Sequence, residues 1–184
     1  GEYSSVSIAD GDTAQQAVEE LYRHGHRRIA ALISRPDDQS ISQLRYEGYV
    51  QALESHGIPV DPELVISTGG FGAKDAYRAV QEKMAENVDF TALFAIADSM
   101  AIGAMRALMD AGRRIPEDCS VIAIDGLELS AYIEPPLTTL CQPMEEMGRR
   151  SAEILLDMVR HKGSHACELL PTTLRQGRSV AAPR

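Results

Sequence analysis

Tryptophan is absent from the chain, and phenylalanine and cysteine are scarce. Its 184 residues contain no tryptophan, three phenylalanines and three cysteines. Cys119, Cys141 and Cys167 form an odd set with no motif spacing, so the sequence predicts no disulfide framework. Unpaired cysteines of this kind fit a reducing, cytoplasmic setting and speak against export.

Basic charge and long apolar runs are also scarce. The chain has 18 Lys and Arg against 27 Asp and Glu, a net charge of −9. Phosphate-backbone contacts need clustered basic residues, so this stretch is not expected to bind DNA itself. No apolar run approaches the roughly 20 residues that span a bilayer. The first ten residues, GEYSSVSIAD, have neither the basic start nor the apolar centre of a signal peptide.

Enzyme and cofactor motifs are weak throughout. The five histidines are scattered, and His161, His165 and Cys167 would make only a partial metal site without a fourth ligand. The glycine-rich loop 68–72 has neither a dinucleotide-binding pattern nor a P-loop lysine. We therefore expect no catalytic residue, no metal and no cofactor.

What the chain does have is a regular alternation of apolar strands and helices. This alternation predicts an α/β fold, with a mostly parallel sheet flanked by helices and joined by right-handed crossovers. The run Arg28–Ile33 is almost continuously apolar, as expected of a strand covered on both faces. The predicted strands are Ser5–Ile8, Arg28–Ile33, Leu64–Ser67, Thr91–Ile96, Ser120–Ile124, Leu137–Leu140 and Cys167–Leu174; the predicted helices are Thr13–His24, Ser40–His56, Ala73–Ala85, Ser99–Ala111 and Glu145–Arg160; Ser34–Gln39 is predicted to be a loop.

Two of these strands are followed by a carboxylate, Asp98 in one case and Asp125 in the other. Ligands of open α/β sheets bind at the carboxyl ends of the strands, and carboxylates there suit a small molecule rich in hydroxyl groups. The chain also starts with only a short strand before its first helix. We therefore expect it to be a piece of a larger ligand-sensing protein.

Six segments in register resemble the effector-binding domain of the LacI/GalR family of bacterial transcription regulators. They are HGHRRIAALIS (24–34), SQLRYEGYVQAL (42–53), TALFAIADSMAIGAMRAL (91–108), IPEDCSVIAIDG (115–126), PPLTTLCQPMEEMG (135–148) and Arg178-Ser179. The resemblance runs through almost the whole chain. It implies a sensor of two lobes with a small molecule such as a sugar in the cleft between them. Operator DNA would be bound only by a helix-turn-helix domain that precedes them in the family.

The resemblance also implies a division of the chain. Residues 1–136 would form the C-terminal lobe of a type I periplasmic-binding-protein-like domain, whose second lobe is largely missing. Residues 137–162 would be a remnant of the N-terminal lobe. Residues 163–184 would supply a return strand and tail of the C-terminal lobe.

Several residues match positions that contact effector in the family. Arg45 offers five fixed donors, which suit vicinal hydroxyls or a carboxylate. Asp125 can accept two hydroxyl hydrogen bonds, and Phe71 matches an aromatic residue that stacks on sugar or base rings. Gln142 and Met144 match residues that line the cleft.

The roles of two aspartates stay open at this point. Asp98 can contact the ligand or cap the helix that follows it, and capping is the favoured role. Asp10 also maps near the cleft, and helix capping is again favoured. Ala97 and Gly126 stand where relatives carry polar side chains, so two contacts of the family are lost.

Ile102, Met105 and Tyr132 fall at dimer-interface positions of the family, so a homodimer is expected. The small residues Ala101, Gly103, Ala104 and Ala107 on the same helix allow close approach of another helix. Packing inside the lobe is the alternative reason for that small face.

The sequence thus predicts the effector-sensing domain of a cytoplasmic transcription regulator, specific for a sugar or a sugar derivative. The alternative is an exported sugar-binding protein that feeds an ABC-type transporter and shares the lobe architecture. A flavodoxin-like or nucleotide-dependent α/β enzyme is a third and weaker reading.

Overall fold

The computed structural model describes residues 3–35, 41–161 and 166–184 and is centred on a six-stranded sheet. The strands of the chain are β1 (Ser5–Ile8), β2 (Ile29–Ile33), β3 (Val65–Ser67), β4 (Ala92–Ala95), β5 (Ser120–Asp125), β6 (Thr138–Cys141), β7 (Cys167–Leu170) and β8 (Thr173–Arg175). The order in the large sheet is β3-β2-β4-β5-β6-β8, and only the β6–β8 pair is antiparallel. The predicted α/β fold with a mostly parallel sheet is confirmed.

The described residues form five α-helices, and four of them flank this sheet. The five are α1 (Asp10–Arg23), α2 (Ile41–Ser55), α3 (Ala73–Ala85), α4 (Asp98–Asp110) and α5 (Met144–His161). Helix α5 lies on the second sheet, which β1 and β7 form. Helix α1 packs on α2, and α3 packs on α4. Every residue of β2 and β4 is buried, so both faces of the sheet are covered at its centre, as their continuous apolar runs predict.

Both helix pairs meet through a glycine. A Cβ added at Gly48 of α2 would lie 2.1 Å from the carbonyl oxygen of Gly11, and one at Gly103 of α4 would lie 2.0 Å from that of Ala73. Ala101, Ala104 and Ala107 beside Gly103 are fully buried. The small face of α4 is therefore buried within this fold, against α3 at Gly103, and it is not exposed to a dimer partner.

A second, smaller unit lies beside the large sheet. Strands β1 and β7 form a separate parallel pair, and α5 packs on β1 and is tied to β7 by the Arg150–Glu168 ion pair. The chain thus passes between the two sheets three times, from β1 into α1, from β6 into α5 and from β7 into β8.

This topology corrects the predicted division of the chain. The boundary at residue 137 is wrong, because β6 pairs with β5 and β8 in the large sheet, and Thr138 and Thr139 are buried there. Strand β1, predicted to belong to the first unit, pairs with β7 instead. The predicted segment Cys167–Leu174 splits into two strands of different sheets. The boundary at 162/163 and most of the loop predicted at Ser34–Gln39 lie outside the described residues.

Candidate functional site

A charged cluster lies where β4, β5 and β6 end, at the carboxyl edge of the large sheet. Its centre is the Arg45 guanidinium of α2, whose side chain is 3% exposed. Arg45 Nε donates to Asp10 Oδ1 at 2.7 Å, and Nη1 donates to Asp125 Oδ1 at 3.2 Å and to the carbonyl oxygen of Ile96. Arg45 therefore connects the first residue of α1, the last residue of β5 and the end of β4.

Asp125 is held in an unusual backbone conformation. Its φ is +138°, in a region that residues other than glycine rarely adopt, and the next residue, Gly126, has φ +78°. A Cβ at Gly126 would lie 2.5 Å from Cys141 Sγ, so the turn needs glycine for space as well as for conformation. Strained residues that persist because their surroundings fix them often occur at functional sites.

The side chain of Asp125 faces the cluster. Besides Arg45, its Oδ1 accepts from Gln142 Nε2 at 2.8 Å, and its Oδ2 accepts from the Asp98 backbone N–H at 3.3 Å. The Asp125 side chain is 24% exposed, so part of the carboxylate remains open to solvent. Arg45, Asp125 and Gln142, all predicted from the sequence, thus lie together.

Asp98 differs from both roles considered for it. The residue before α4 is Ala97, and no side-chain capping bond is formed, so the predicted capping role is wrong. The Asp98 carboxylate is 0% exposed and accepts hydrogen bonds from the Leu127 amide and from the hydroxyls of Ser130 and Thr139. A carboxylate enclosed in this way is not accessible to a molecule that arrives from solvent, which corrects its assignment as a direct ligand contact.

Asp10 is the member of the cluster that sequence reasoning undervalued. The favoured capping role is wrong here too, because Asp10 is already the first residue of α1 and Ala9 precedes it without a side-chain cap. Its carboxylate pairs with Arg45 instead. The spacing between Asp10 and Arg45 carries no local motif, and only the close α1–α2 packing at Gly48 brings them together.

Phe71 and Met144 lie on the same edge without joining the cluster. Phe71 is 41% exposed in the loop after β3, and its carbonyl oxygen accepts from Ser99 Oγ at 2.7 Å. Met144 is 66% exposed at the start of α5, two residues after Gln142. Both side chains are free to meet a molecule that arrives from solvent, and their ligand-binding role stays a prediction.

The chemistry of this edge is that of a polar binding site. One guanidinium lies between two carboxylates, and the remaining acceptor positions of Asp125 and Gln142 suit hydroxyl donors. Within residues 3–35, 41–161 and 166–184, no group of three His, Cys, Asp or Glu could hold a metal ion. The partial metal site considered at residues 161–167 includes His165, which lies outside these residues.

The three predicted dimer-interface residues differ in their exposure to solvent. Tyr132 is 78% exposed and Ile102 is partly exposed, so both can reach a partner. Met105 is 1% exposed and belongs to the core, so its assignment to an interface is wrong. In the part of the chain that the structure describes, no helix is long and apolar enough to cross a membrane.

Comparisons with known proteins match this fold. The model of the periplasmic binding protein-like domain family matches residues 18–180. The transcriptional repressor CytR of Escherichia coli K12 is 38% identical over 175 residues, which cover 92% of this chain and 51% of the repressor. The regulator CelR of Thermobifida fusca is 35% identical and is covered to 49% of its length. The chain spans about half the length of these curated relatives.

Solved structures agree with the sequence relatives. The complex of the transcriptional regulator CelR with cellobiose has a TM-score of 0.90 and 34% identity, covering 97% of this chain and 54% of that one. A LacI family regulator from Enterococcus faecium with bound ribose has a TM-score of 0.86 and 31% identity, covering 97% and 66%. On its fold, its matched family model and these relatives, the chain belongs to the periplasmic binding protein-like domains of LacI-family transcriptional regulators.

Proposed function

We propose that the chain senses a neutral, hydroxyl-rich small molecule, most simply a sugar, for a transcription regulator, and that the molecule binds at the Arg45 cluster. The observation that carries the proposal is the position of Arg45 between Asp10 and Asp125, with Gln142 on the same carboxylate. Related regulators bind cellobiose and ribose, which are molecules of this kind.

The charge balance of the cluster favours a neutral ligand. Arg45 is already paired with two carboxylates, so little of its charge is left to attract a phosphate or a carboxylate. The open acceptor positions on Asp125 and Gln142 would each receive a ligand hydroxyl. Phe71 offers a ring face to the apolar side of a sugar or a base.

The proposed mechanism is linkage between binding and the relation of the two sheets. Asp10 and Gln142 stand at two of the three passages between the sheets, so a ligand that binds the cluster would favour one arrangement of these passages. We propose that this arrangement is transmitted to DNA-binding domains elsewhere in a cytoplasmic, dimeric regulator. The net charge of −9 supports a chain that does not contact DNA itself.

The two alternatives have less support. The curated relatives that match along the chain are named as transcription regulators, so an exported binding protein of a transporter is not favoured. The same comparison supports a protein without enzymatic activity. No observation at the Arg45 cluster points to a nucleophile.

A binding screen tests the proposal directly. The protein is titrated calorimetrically with ribose, cellobiose and a set of other neutral monosaccharides, disaccharides and nucleosides, each paired with its phosphate ester. We expect a neutral member to bind and its phosphate ester to bind at least about tenfold more weakly, since one lost charge-assisted contact is worth about that factor. Arg45→Met should abolish the signal, whereas Arg78→Met, at an exposed position of α3, should keep it. A phosphate ester that binds more tightly than its neutral parent would contradict the proposal.

A further inference from the structure

The Asp98 carboxylate is the most completely enclosed charged group near the site. It is 0% exposed, and each of its known partners is a donor. Oδ2 accepts from the Leu127 amide at 2.8 Å and from Ser130 Oγ at 2.7 Å, and Oδ1 accepts from Thr139 Oγ1. These partners come from the segment after β5 and from β6, so one side chain of α4 joins two other parts of the chain.

The contacts of Asp98 enclose the strained turn at residues 125–126. Its backbone N–H donates to Asp125 Oδ2, on the near side of the turn, and its carboxylate accepts from Leu127, on the far side. The turn has two consecutive residues of positive φ, and only the second of them is a glycine. A non-glycine residue keeps such a φ only where neighbouring contacts fix the chain on both sides.

Arg175 of β8 reinforces the same segment from outside. Its Nη2 donates to the Leu127 carbonyl oxygen at 3.0 Å and to Ser130 Oγ, and it lies 4.0 Å from Asp98 Oδ2. Burial raises the pKa of Asp98, while the two hydroxyls and the Leu127 amide act against that rise. The charged form of Asp98 is thus stabilised by Leu127 and Ser130, which belong to the segment that its carboxylate holds in place.

We infer that Asp98 is a positioning residue of the effector site, which acts through Asp125. It fixes the turn after β5 in the strained conformation that directs the Asp125 carboxylate towards Arg45 and Gln142. Asp98 does not touch the ligand. The role of Asp98 in an effector site rests on the proposed function. Its effect on the turn after β5 can be tested without any ligand.

The first readout is the backbone conformation of Asp125. A φ near +138° gives a small three-bond coupling between the amide proton and Hα, whereas relaxed extended backbone of negative φ gives a large one. In the isotopically labelled protein, we expect Asp98→Ala to enlarge this coupling or to broaden the amide signal of Asp125. Asp98→Asn should keep it small, because the amide oxygen can accept from Leu127 and Ser130 while its NH₂ group donates to Thr139 Oγ1.

The second readout is affinity, with ribose and cellobiose as probes. Asp98→Ala should weaken binding by about tenfold or more, and Asp98→Asn should restore most of it, because a single misplaced charged contact is worth about that factor. Thr139→Val is the matched control, since it removes a donor to Oδ1 and leaves the Oδ2 contacts with the turn. Should Asp98→Ala not fold, Ser130→Ala removes one of the two side-chain-to-turn contacts and should weaken binding by a smaller factor.

Two results would overturn the inference. One is an unchanged coupling at Asp125 in a folded Asp98→Ala protein. The other is an equal loss of affinity in Thr139→Val and Ser130→Ala at equal loss of thermal stability, because that pattern reports general destabilisation. If no neutral ligand of the proposed screen binds the wild-type protein, the proposed function loses its support, while the coupling constant still decides whether Asp98 holds the turn.

Discussion

The contact between α1 and α2 at Gly48 allows a prediction about both stability and the site. In Gly48→Ala, the added methyl group would lie 2.1 Å from the Gly11 carbonyl oxygen and 2.9 Å from Ala14 Cβ. The first of these neighbours is backbone, so it cannot rotate away. The two helices must therefore separate by about 1 Å before the contact becomes one that real side chains make.

The expected loss of stability follows from two opposing effects. Alanine in the interior of a helix is favoured over glycine by about 1 kcal/mol. Forcing an extra carbon into a packed interface costs about 1–3 kcal/mol, and a backbone clash belongs at or above the top of that range. We therefore expect Gly48→Ala to lower the free energy of unfolding by about 2 kcal/mol, or roughly 4–8 °C in Tm for a chain of this size.

Gly148→Ala is the matched control. Gly148 lies in α5, and a Cβ there would meet nothing within 4 Å. Only the propensity gain remains, so this variant should be more stable than the wild type by up to about 1 kcal/mol. Urea unfolding of the three proteins, followed by circular dichroism, measures the difference. A Gly48→Ala protein as stable as Gly148→Ala would refute the close approach of α1 and α2.

The same substitution should also weaken ligand binding. Gly48 lies about one turn after Arg45 on the same side of α2, and Gly11 directly follows Asp10. Moving Gly11 away from α2 lengthens the Arg45–Asp10 contact of 2.7 Å and so loosens the cluster. Gly148→Ala should keep wild-type affinity. Equal affinity of both variants would show that the packing of α1 on α2 at Gly48 does not affect ligand binding.

Three further predictions follow from other contacts. Arg45→Met leaves the carboxylates of Asp10 and Asp125 without their shared counter-charge and should lower the free energy of unfolding by about 3 kcal/mol. This value is the low end for a broken buried pair, because Asp125 is partly exposed. An unchanged urea midpoint would contradict this prediction. Burial lowers the pKa of His26, so the unfolded chain binds the proton more readily, and stability should be complete above about pH 6.5 and fall as the pH is lowered towards the folded pKa; His26→Gln should flatten this dependence in thermal unfolding between pH 7.5 and 5.5. Tyr132→Glu should shift a dimer to monomer in sedimentation equilibrium, whereas a wild-type mass that stays monomeric at every concentration would exclude the Tyr132 interface.

The central strands and their alternation with helices could be predicted from the sequence, because a strand that is buried on both faces is a continuous run of apolar residues. The apolar runs of β2 and β4 are of this kind. Strand β6 has only four residues, and its sheet is decided by partners far away in the chain, β5 on one side and β8 on the other. Local pattern therefore predicted that β6 is a strand, but it could not assign the strand to a sheet, and the division inferred from the family resemblance placed it in the wrong unit.

The site shows the same division between local and distant information. Asp98 and Asp125 both follow an apolar strand, and nothing nearby in the sequence separates their roles. The difference arises from donors 29, 32 and 41 residues from Asp98, which enclose its carboxylate, while that of Asp125 stays partly open. Met105 is a similar case, because helical spacing shows that α4 has two faces but not which of them meets α3.

On the proposed function, the Arg45 cluster and the exposed Phe71 would contribute differently to the shift between two arrangements of the sheets. Shifting a two-state equilibrium from 1:99 to 99:1 requires about 5.5 kcal/mol of differential affinity. Two or three hydrogen bonds to charged groups, at about 1.5–3 kcal/mol each, reach that value if they form in only one arrangement of the sheets. Asp10 and Gln142 lie at the passages between the sheets, so contacts with their cluster depend on that arrangement. Phe71 lies in a loop within the large-sheet unit, so stacking on it would strengthen binding in both arrangements and shift neither.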